Sequence, residues 1–285
     1  MYSNRLYTPL RYPGGKGAFA PFVIETMTRN NLSGHYLEPY AGGAGVALCL
    51  LQEGVTSHIH INDIDPAVHA FWIAATEHPD DLLRLLHDTP VTMEQWFQWR
   101  AVLRGEREAS VVDRGFATLF MNRTNRSGIL KAGVIGGLNQ SGPYKIDARF
   151  KKEVITSRIE KIAGYANQIT VYCEDALALI KRSADFLPAR SLIYLDPPYF
   201  VKGKGLYRNF YKTDDHAQIA THLQSGELSS SWLVSYDNAP EILEMYSRSR
   251  KAQYSLNYSA QKIYRANEAV FFSSDLVVPE ALAAK

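Results

Sequence analysis

The stretch LIYLDPPYF, residues 192–200, constrains the fold more than any other part of the sequence. Its first residues are mostly apolar and predict a buried β-strand. Asp196 comes next, followed by Pro197 and Pro198, which cannot donate to a sheet ladder, so the strand has to end there. The sequence therefore predicts a strand that delivers a carboxylate and, at Tyr199, an aromatic ring to the edge of a sheet.

Strand-like and helix-like segments alternate towards both ends of the chain. This alternation favours a mostly parallel α/β sheet with helices on both faces. From about residue 78 to 158 the rhythm is replaced by a long helical and loop-rich stretch, which is longer than ordinary connections between a strand and a helix. We interpret 78–158 as an inserted subdomain and 1–77 with 159–285 as the main domain.

Composition narrows the class of protein. The chain has 285 residues and is 46% hydrophobic, which suffices for one large domain or a domain with an insertion. It has no apolar run of membrane-spanning length and no signal-peptide pattern at its start, and its two cysteines favour a reducing cytoplasm. The segment 100–161 holds 13 Lys or Arg against 6 Asp or Glu, which suggests a surface for a polyanion, although a solvated face would explain it too.

A glycine-rich segment, EPYAGGAGVAL at 38–48, lies between a predicted strand and a predicted helix. Gly42 and Gly45 would let a ligand approach the backbone closely, and Asp63 ends the next strand, where a carboxylate can accept hydrogen bonds from a ribose. Leu48 stands where the dinucleotide fingerprint needs its third glycine, which disfavours an NAD site. A purely structural turn remains the alternative for this loop.

The segment RYPGGKG, 11–17, places Tyr12 and Lys16 around a glycine turn. Its spacing does not fit a Walker A loop. Beside a nucleoside loop, the ring and the cation could cover a ligand's carboxylate or its adenine. A loop with a solvated lysine is the alternative.

The Asp-Pro-Pro-Tyr segment suggests a specific chemistry. At the carboxyl end of a strand, Asp196 and the carbonyl of Pro197 can both accept from one exocyclic amine, and Tyr199 can stack on a planar base. An amine held in this way keeps its lone pair directed at an electrophile, which suits direct methyl transfer through positioning and electrostatics. The alternative is a Pro-Pro turn beside an ordinary aspartate.

In their order and spacing, these three motifs resemble the D12 class of adenine-N6 DNA methyltransferases, the Dam-like family, across nearly the whole chain. The resemblance implies a Rossmann-like S-adenosylmethionine-dependent methyltransferase sheet with an inserted, mainly helical target-recognition subdomain. It also implies a target pocket of Asp196, Pro197 and Tyr199. The residues implied to bind S-adenosyl-L-methionine are Tyr12, Lys16, Glu38, Gly42, Gly45, Asp63, Asp175 and Asp196.

The segment FMNRTNRSG, 120–128, is similar to the Asn-Arg segment of the family's recognition domain. Its polar side chains could contact base edges or phosphates, and the cations that follow are expected mainly on phosphates. The Gly-rich segment GVIGGLNQSG differs from the family's better-known members, so the recognised DNA sequence cannot be carried over. The predicted DNA-binding residues are Asn122, Arg123, Asn125, Arg126, Lys145, Arg149, Lys151 and Lys152.

The sequence thus predicts a cytoplasmic enzyme, a monomer or weak dimer, that methylates N6 of a flipped adenine in double-stranded DNA. No metal site is expected, because the histidines lack ligand spacing. A cognate restriction endonuclease is left open as a partner. An RNA base methyltransferase, a non-catalytic DNA-binding protein and an NAD-dependent oxidoreductase are the alternatives, and the last lacks a third glycine.

Overall fold

The computed structural model describes residues 7–11, 16–200, 211–259 and 263–279, with the backbone alone at 253–259 and 263–267. The chain divides into two compact units. The first comprises Met1–Asn4, Lys16–Ile64 and Glu174–Lys285, and the second comprises Arg5–Gly15 and Asp65–Cys173. The predicted insertion, 78–158, lies inside the second unit, and its bounds stay a prediction. Tyr12 lies outside the described residues.

Seven strands occur in the described part of the chain, and all but β3 belong to the first unit. They are β1 His35–Glu38, β2 His58–Asn62, β3 Ile169–Tyr172, β4 Leu192–Leu195, β5 Ser231–Asp237, β6 Arg250–Ser259 and β7 Ile263–Phe272.

The strands of the first unit pair in the order β2-β1-β4-β5-β7-β6. The pairs β1–β2, β1–β4 and β4–β5 are parallel, and β7 pairs antiparallel with both β5 and β6. The predicted mostly parallel sheet is therefore confirmed. From β1 the next strand in sequence, β2, lies on one side, and from β4 the next strand, β5, lies on the opposite side. The direction in which successive strands are added therefore reverses between β1 and β4. Open α/β sheets bind their ligands in the crevice that such a reversal leaves at the carboxyl ends of the strands.

Ten α-helices accompany the strands in the described residues. They are α1 Ala20–Arg29, α2 Gly45–Gln52, α3 Pro66–Glu77, α4 Pro79–Asp88, α5 Met93–Leu103, α6 Val111–Thr124, α7 Lys152–Gly164, α8 Ala176–Lys181, α9 Thr213–Leu223 and α10 Pro240–Met245.

Several helix ends follow sequence signals. Pro66 occupies the first turn of α3 as predicted, where its missing N–H costs nothing, and the side chain of Asp65 caps that helix by accepting from the Ala67 N–H. Ser110 and Asp113 form a capping box at the start of α6.

The second unit packs α3 closely against α6. A methyl group added at Gly115 of α6 would lie 2.6 Å from the Ala70 carbonyl oxygen and 2.8 Å from the Ala74 Cβ. The lack of a side chain at Gly115 is therefore what permits this approach. The hydroxyl of Thr118, one turn further along, donates to the Ala67 carbonyl at 2.8 Å and satisfies a polar group inside the contact.

Within the described ranges, no helix combines the length and the apolar character that crossing a membrane requires.

Candidate active site

The carboxylate predicted at the end of β4 lies at the reversal point of the sheet. All four residues of β4 are buried, and Tyr36 and Leu37 of β1 pair with Leu192 and Ile193. Asp196 follows directly and keeps 26% of its side chain exposed. The buried strand therefore ends in a carboxylate that a ligand can reach.

Two side chains hold one oxygen of this carboxylate. Asp196 Oδ1 lies 2.9 Å from Lys16 Nζ and accepts from Ser235 Oγ at 3.0 Å. Ser235 is buried, and its hydroxyl lies 2.8 Å from the hydroxyl of buried Tyr194. Since both contacts are made to Oδ1, the other oxygen, Oδ2, can accept from an incoming amine.

The electrostatics around Asp196 oppose one another. Burial raises the pKa of Asp196, Lys16 lowers it, and Glu268 raises it again. The pKa of Asp196 lies above the ordinary value of an aspartate, because removal from water is the largest cause. Asp196 therefore depends on Lys16 and Ser235, which both lower its pKa, to remain charged.

Lys16 is the centre of a polar cluster and is only 5% exposed. Besides Asp196, its Nζ donates to Glu268 Oε1 at 3.0 Å and to the Tyr199 hydroxyl at 3.3 Å. The Tyr199 hydroxyl in turn donates to Glu268 Oε1 at 3.1 Å. We call Lys16, Asp196, Tyr199 and Glu268 the Lys16 cluster.

Glu268 belongs to strand β7 and was missed by the sequence analysis. A signal was present, because a carboxylate directly before the apolar run Ala269–Phe272 is costly to bury without a partner. Its partner Lys16 lies 252 residues away, so the sequence could not identify it.

The glycine loop follows β1 as predicted and is held by the end of β2. Gly42 has a positive φ of 47°, and its N–H donates to Asp63 Oδ2 at 3.1 Å. The Ala41 N–H donates to the Asn62 carbonyl at 2.8 Å. A methyl group added at Gly45 would come within 3.7 Å of the Gly17 nitrogen, beside Lys16. The loop and the N-terminal motif are thus neighbours.

Glu38, the last residue of β1, is buried and supports this loop. Its Oε1 accepts from the Tyr36 hydroxyl at 2.9 Å and from the Ala47 N–H, in the first turn of α2, at 3.2 Å. Burial raises the pKa of Glu38 to about 8, despite the lowering effect of the Tyr36 hydrogen bond. Glu38 therefore favours its neutral form at pH 7.

Asp175 caps helix α8 by accepting from the Ala178 N–H at 3.0 Å. The side chain of Asn62, at the end of β2, fixes the preceding residue, because it accepts from the Glu174 N–H at 2.9 Å and donates to the Glu174 carbonyl at 3.1 Å. Asp175 is also one cause of the raised pKa of Tyr211, about 12, although burial is the larger cause. Asn62, which the sequence analysis did not select, thus ties Asp175 to the strand that leads to Asp63.

The first unit also contains a cluster of aromatic side chains that the sequence did not predict. The Tyr40 hydroxyl lies 2.7 Å from the Tyr211 hydroxyl, and the Tyr211 ring packs against His216. His216 is buried, with Nδ1 2.9 Å from the Tyr236 hydroxyl. Burial lowers the pKa of His216. These rings form a cluster of tilted and edge-to-face contacts in the first unit.

The Asn-Arg segment at the end of α6 is mostly buried. Asn122 accepts from the Arg11 N–H at 2.7 Å and donates to the carbonyls of Arg11 and Gly128, both at 2.8 Å. Arg123 donates to the Pro9 carbonyl. Burial, followed by Arg158 and Arg11, lowers the pKa of Arg123 to about 9, which leaves its guanidinium charged at neutral pH. These side chains therefore bind the segment 7–11 within the second unit.

The other predicted DNA-binding residues differ in exposure. Asn125 is buried and accepts from the Trp96 indole N–H at 2.7 Å, whereas Arg126, Arg149 and Lys151 are exposed. Lys145 donates to the carbonyls of Gln140 and Gly142 at 2.6 and 3.1 Å. Lys152 donates to the carbonyls of His87 and Thr89 at 2.7 and 2.9 Å. The exposed cations remain candidates for phosphate contacts.

Within the described residues, no group of three or more His, Cys, Asp or Glu has an arrangement that could hold a metal ion.

Comparison with known proteins gives a consistent result. The model of the D12 class N6 adenine-specific DNA methyltransferase family matches residues 12–263. Among curated proteins, the type II methyltransferase M.MjaIII of Methanocaldococcus jannaschii is 22% identical over 204 residues, which cover 67% of this chain and 68% of that protein.

Solved structures resemble the chain more weakly. PH1948 from Pyrococcus horikoshii, described as a presumptive RNA methyltransferase, has a TM-score of 0.42 and 9% identity over 99% of this chain and 90% of its own. LPL1258 from Legionella pneumophila has a TM-score of 0.32 and 12% identity over 90% and 86% of the two chains. Scores at this level carry no argument about the chain.

Proposed function

Because the chain belongs to the D12 class N6 adenine-specific DNA methyltransferase family, we propose that it transfers a methyl group from S-adenosyl-L-methionine directly to N6 of an adenine flipped out of duplex DNA. The observation that carries this proposal is the placement of Asp196. It follows β4 at the reversal point of the sheet, with Oδ1 held by Lys16 and Ser235 and with exposed surface remaining.

The residues after β1 and β2 fit a nucleoside-bearing cosubstrate. The glycine turn brings backbone without side chains to the end of β1, and the Asp63 carboxylate accepts from the Gly42 N–H. A carboxylate in this position can accept from ribose hydroxyls, and the rings of Tyr40 and Tyr211 offer apolar surface for a base. When bound, S-adenosylmethionine supplies an electrophilic methyl group on a sulfonium sulfur.

The Asp-Pro-Pro-Tyr segment would hold the acceptor. In the proposed pocket, Asp196 Oδ2 and the carbonyl of Pro197 each accept one hydrogen bond from the adenine amine, and Tyr199 stacks on the ring. With S-adenosylmethionine bound, the amine nitrogen would gain the methyl carbon as the carbon–sulfur bond breaks, neutral S-adenosylhomocysteine would leave, and the methylated amine would release one proton to solvent. Asp196 stabilises the positive charge that develops on the nitrogen, as expected for electrostatic catalysis.

DNA binding is assigned to the exposed cations of the second unit. A duplex buries the adenine amine in a base pair, so the target base must leave the stack before it can meet Asp196. Arg126, Arg149 and Lys151 would contact phosphates. The type II relative supports a role in restriction–modification with a cognate endonuclease. We propose a monomer or weak dimer that acts in the cytoplasm.

The proposal is tested by expressing the chain in cells that lack adenine methylation and mapping methylated bases by single-molecule sequencing. We expect N6-methyladenine within one sequence context. Asp196→Ala should reduce methylation by roughly 10³-fold, because one aligned electrostatic group is typically worth 10²–10³ in rate, while DNA binding is retained.

Asp185→Ala is the matched control, because Asp185 is exposed and lies outside the site. It should methylate as the natural chain does. Methyl transfer to structured RNA but not to duplex DNA would show that the substrate is RNA and would contradict the proposed DNA substrate. Full activity of Asp196→Ala would refute the mechanism.

A further inference from the structure

The Lys16 cluster places two carboxylates, the partly exposed one of Asp196 and the buried one of Glu268, on one buried ammonium group. The side chains of Lys16 and Glu268 are 4% and 3% exposed. Lys16 Nζ is almost equally distant from Asp196 Oδ1, at 2.9 Å, and Glu268 Oε1, at 3.0 Å. An ammonium group has three N–H donors, and the third contact is with the Tyr199 hydroxyl. Lys16 is thus shared between the proposed catalytic carboxylate and a second one.

Glu268 also determines where the Tyr199 ring can lie. A hydroxyl has one hydrogen to donate, and that of Tyr199 is directed at Glu268 Oε1. Its oxygen accepts from Lys16, whose Nζ also lies 5.2 Å from the centre of the Tyr199 ring. Since Glu268 is fixed in β7, opposite Asp237 of β5, it connects the Asp-Pro-Pro-Tyr segment to the sheet.

We propose that Glu268 is a positioning residue for methyl transfer: it draws Lys16 partly away from Asp196 and anchors the Tyr199 ring against which the target base stacks. The inference rests on the proposed function, because the role is defined by the amine that Asp196 receives. Glu268 touches neither the base nor the methyl group in this scheme and acts through Lys16 and Tyr199.

The physical reason lies in the strength of charge-assisted hydrogen bonds at buried sites. If Glu268 were absent, Asp196 would be the one carboxylate of the Lys16 cluster, and a fully compensated carboxylate is a weaker acceptor for a developing positive charge. With Glu268 present, two carboxylates share one cation. Asp196 therefore keeps acceptor strength for the amine, while Lys16 still holds it in place.

The decisive variant is Glu268→Gln, which keeps an oxygen that can accept from the Tyr199 hydroxyl but removes the negative charge. We expect kcat to fall about 10–100-fold, while KM for DNA and Kd for S-adenosylmethionine change less than about 3-fold. Glu268→Ala, which also frees the Tyr199 ring, should lose more of kcat. Tyr199→Phe combined with Glu268→Ala should lose less than the product of the two single effects, since both remove the same contact.

The pH dependence separates positioning from a purely structural role. Glu268 raises the pKa of Asp196, so its neutralisation should lower that pKa. If transfer requires ionised Asp196, the acid limb of the kcat profile should move to lower pH in Glu268→Gln. Carboxyl-¹³C NMR of aspartate-labelled protein without ligands, assigned with Asp196→Asn, should show the same displacement without any measurement of activity.

Glu244→Gln is the matched control, because Glu244 is exposed on α10. It should change neither the rate nor the titration. A Glu268→Gln protein with natural kcat and an unmoved Asp196 titration would overturn the inference. So would a loss of activity that accompanies a lowered melting temperature with both pH profiles unmoved. Failure of the proposed function would instead appear in the natural chain, as a lack of adenine methylation.

Discussion

Both units of the molecule bury cations, but these cations contact different kinds of group. Lys16 in the first unit lies between two carboxylates and a phenol. Arg123 in the second unit donates to the backbone carbonyl of Pro9, and Arg158 donates to that of Thr8 at 2.9 Å. A cation held by ionisable side chains changes their charge and their pKa, whereas one held by carbonyls fixes a chain segment.

The polar side chains of the two units thus have different surroundings, although the sequence is polar at both places. In the first unit, the polar side chains follow the ends of parallel strands and retain a surface for a ligand. In the second unit, Asn122 and its neighbours satisfy the backbone of a segment that has no regular ladder of its own. An unpaired backbone group in that position would be costly, so such side chains are needed for stability.

The largest effect that sharpens this comparison is expected at Glu38. Its pKa is raised to about 8 in the folded protein, whereas an unfolded glutamate titrates near 4.5, so the folded state binds one more proton between these values. Stability should therefore fall as pH rises from about 4.5 to about 8, and should change little further outside that window. Relative to Glu38→Gln, the natural chain should lose on the order of 2–4 kcal/mol between pH 5 and 8.

Urea unfolding of both proteins at pH 5, 6.5 and 8 measures this difference. Glu38→Gln keeps an oxygen that can accept from Tyr36 and from the Ala47 N–H, so it serves as its own geometric control. Parallel pH curves for the two proteins would show that Glu38 is ionised throughout. A negative charge would then lie beside the glycine loop at neutral pH.

The second prediction tests the architectural half of the comparison. Asn122→Ala should lower the free energy of unfolding by about 2–3 kcal/mol, because it leaves the Arg11 N–H and the carbonyls of Arg11 and Gly128 without their partner. DNA affinity per folded molecule should be unchanged. The measurement pairs urea unfolding with DNA titration at a temperature where the variant is folded.

Asn139→Ala is the control, since Asn139 is an exposed asparagine of the same unit. It should be as stable as the natural chain. A stable Asn122→Ala protein with impaired DNA binding would break the comparison. It would restore the original interpretation of this segment as a reader of bases or phosphates.

The sequence predicted the first unit well because its signals are local. A strand that ends in Asp196 and two prolines, a glycine turn after β1 and an acid after β2 each follow from neighbouring residues. Parallel strands then bring such ends to one edge of the sheet. The partners of Glu268 could not be found in this way, because they lie 252 and 69 positions away in the sequence.

The second unit was harder for the opposite reason. The helical pattern predicted for 78–158 is confirmed, since α4, α5 and α6 lie there and α7 begins there. Charge and polarity, however, do not reveal whether a side chain faces solvent or a buried carbonyl. Asn122 and Arg123 have the composition of a DNA-reading segment and the environment of a structural one. The close packing of this segment is clearest at Gly128, which has a φ of 76°. A methyl group added there would lie 2.1 Å from the Arg11 carbonyl oxygen.

The smallest expected effect distinguishes two adjacent lysines that the sequence treats alike. Lys151 is exposed, whereas Lys152 donates to the His87 and Thr89 carbonyls at the end of α4 and so caps that helix. Lys151→Ala should leave stability unchanged and reduce the slope of log affinity against log salt by about 0.9, as for one lost phosphate contact. Lys152→Ala should instead cost about 1 kcal/mol of stability and leave that slope nearly unchanged.

Each variant is the other's control, measured by DNA titration at several salt concentrations and by urea unfolding. Equal loss of salt dependence in both would mean that Lys152 leaves its carbonyls for a phosphate when DNA binds, and the division between architectural and ligand-binding cations would then fail at this position.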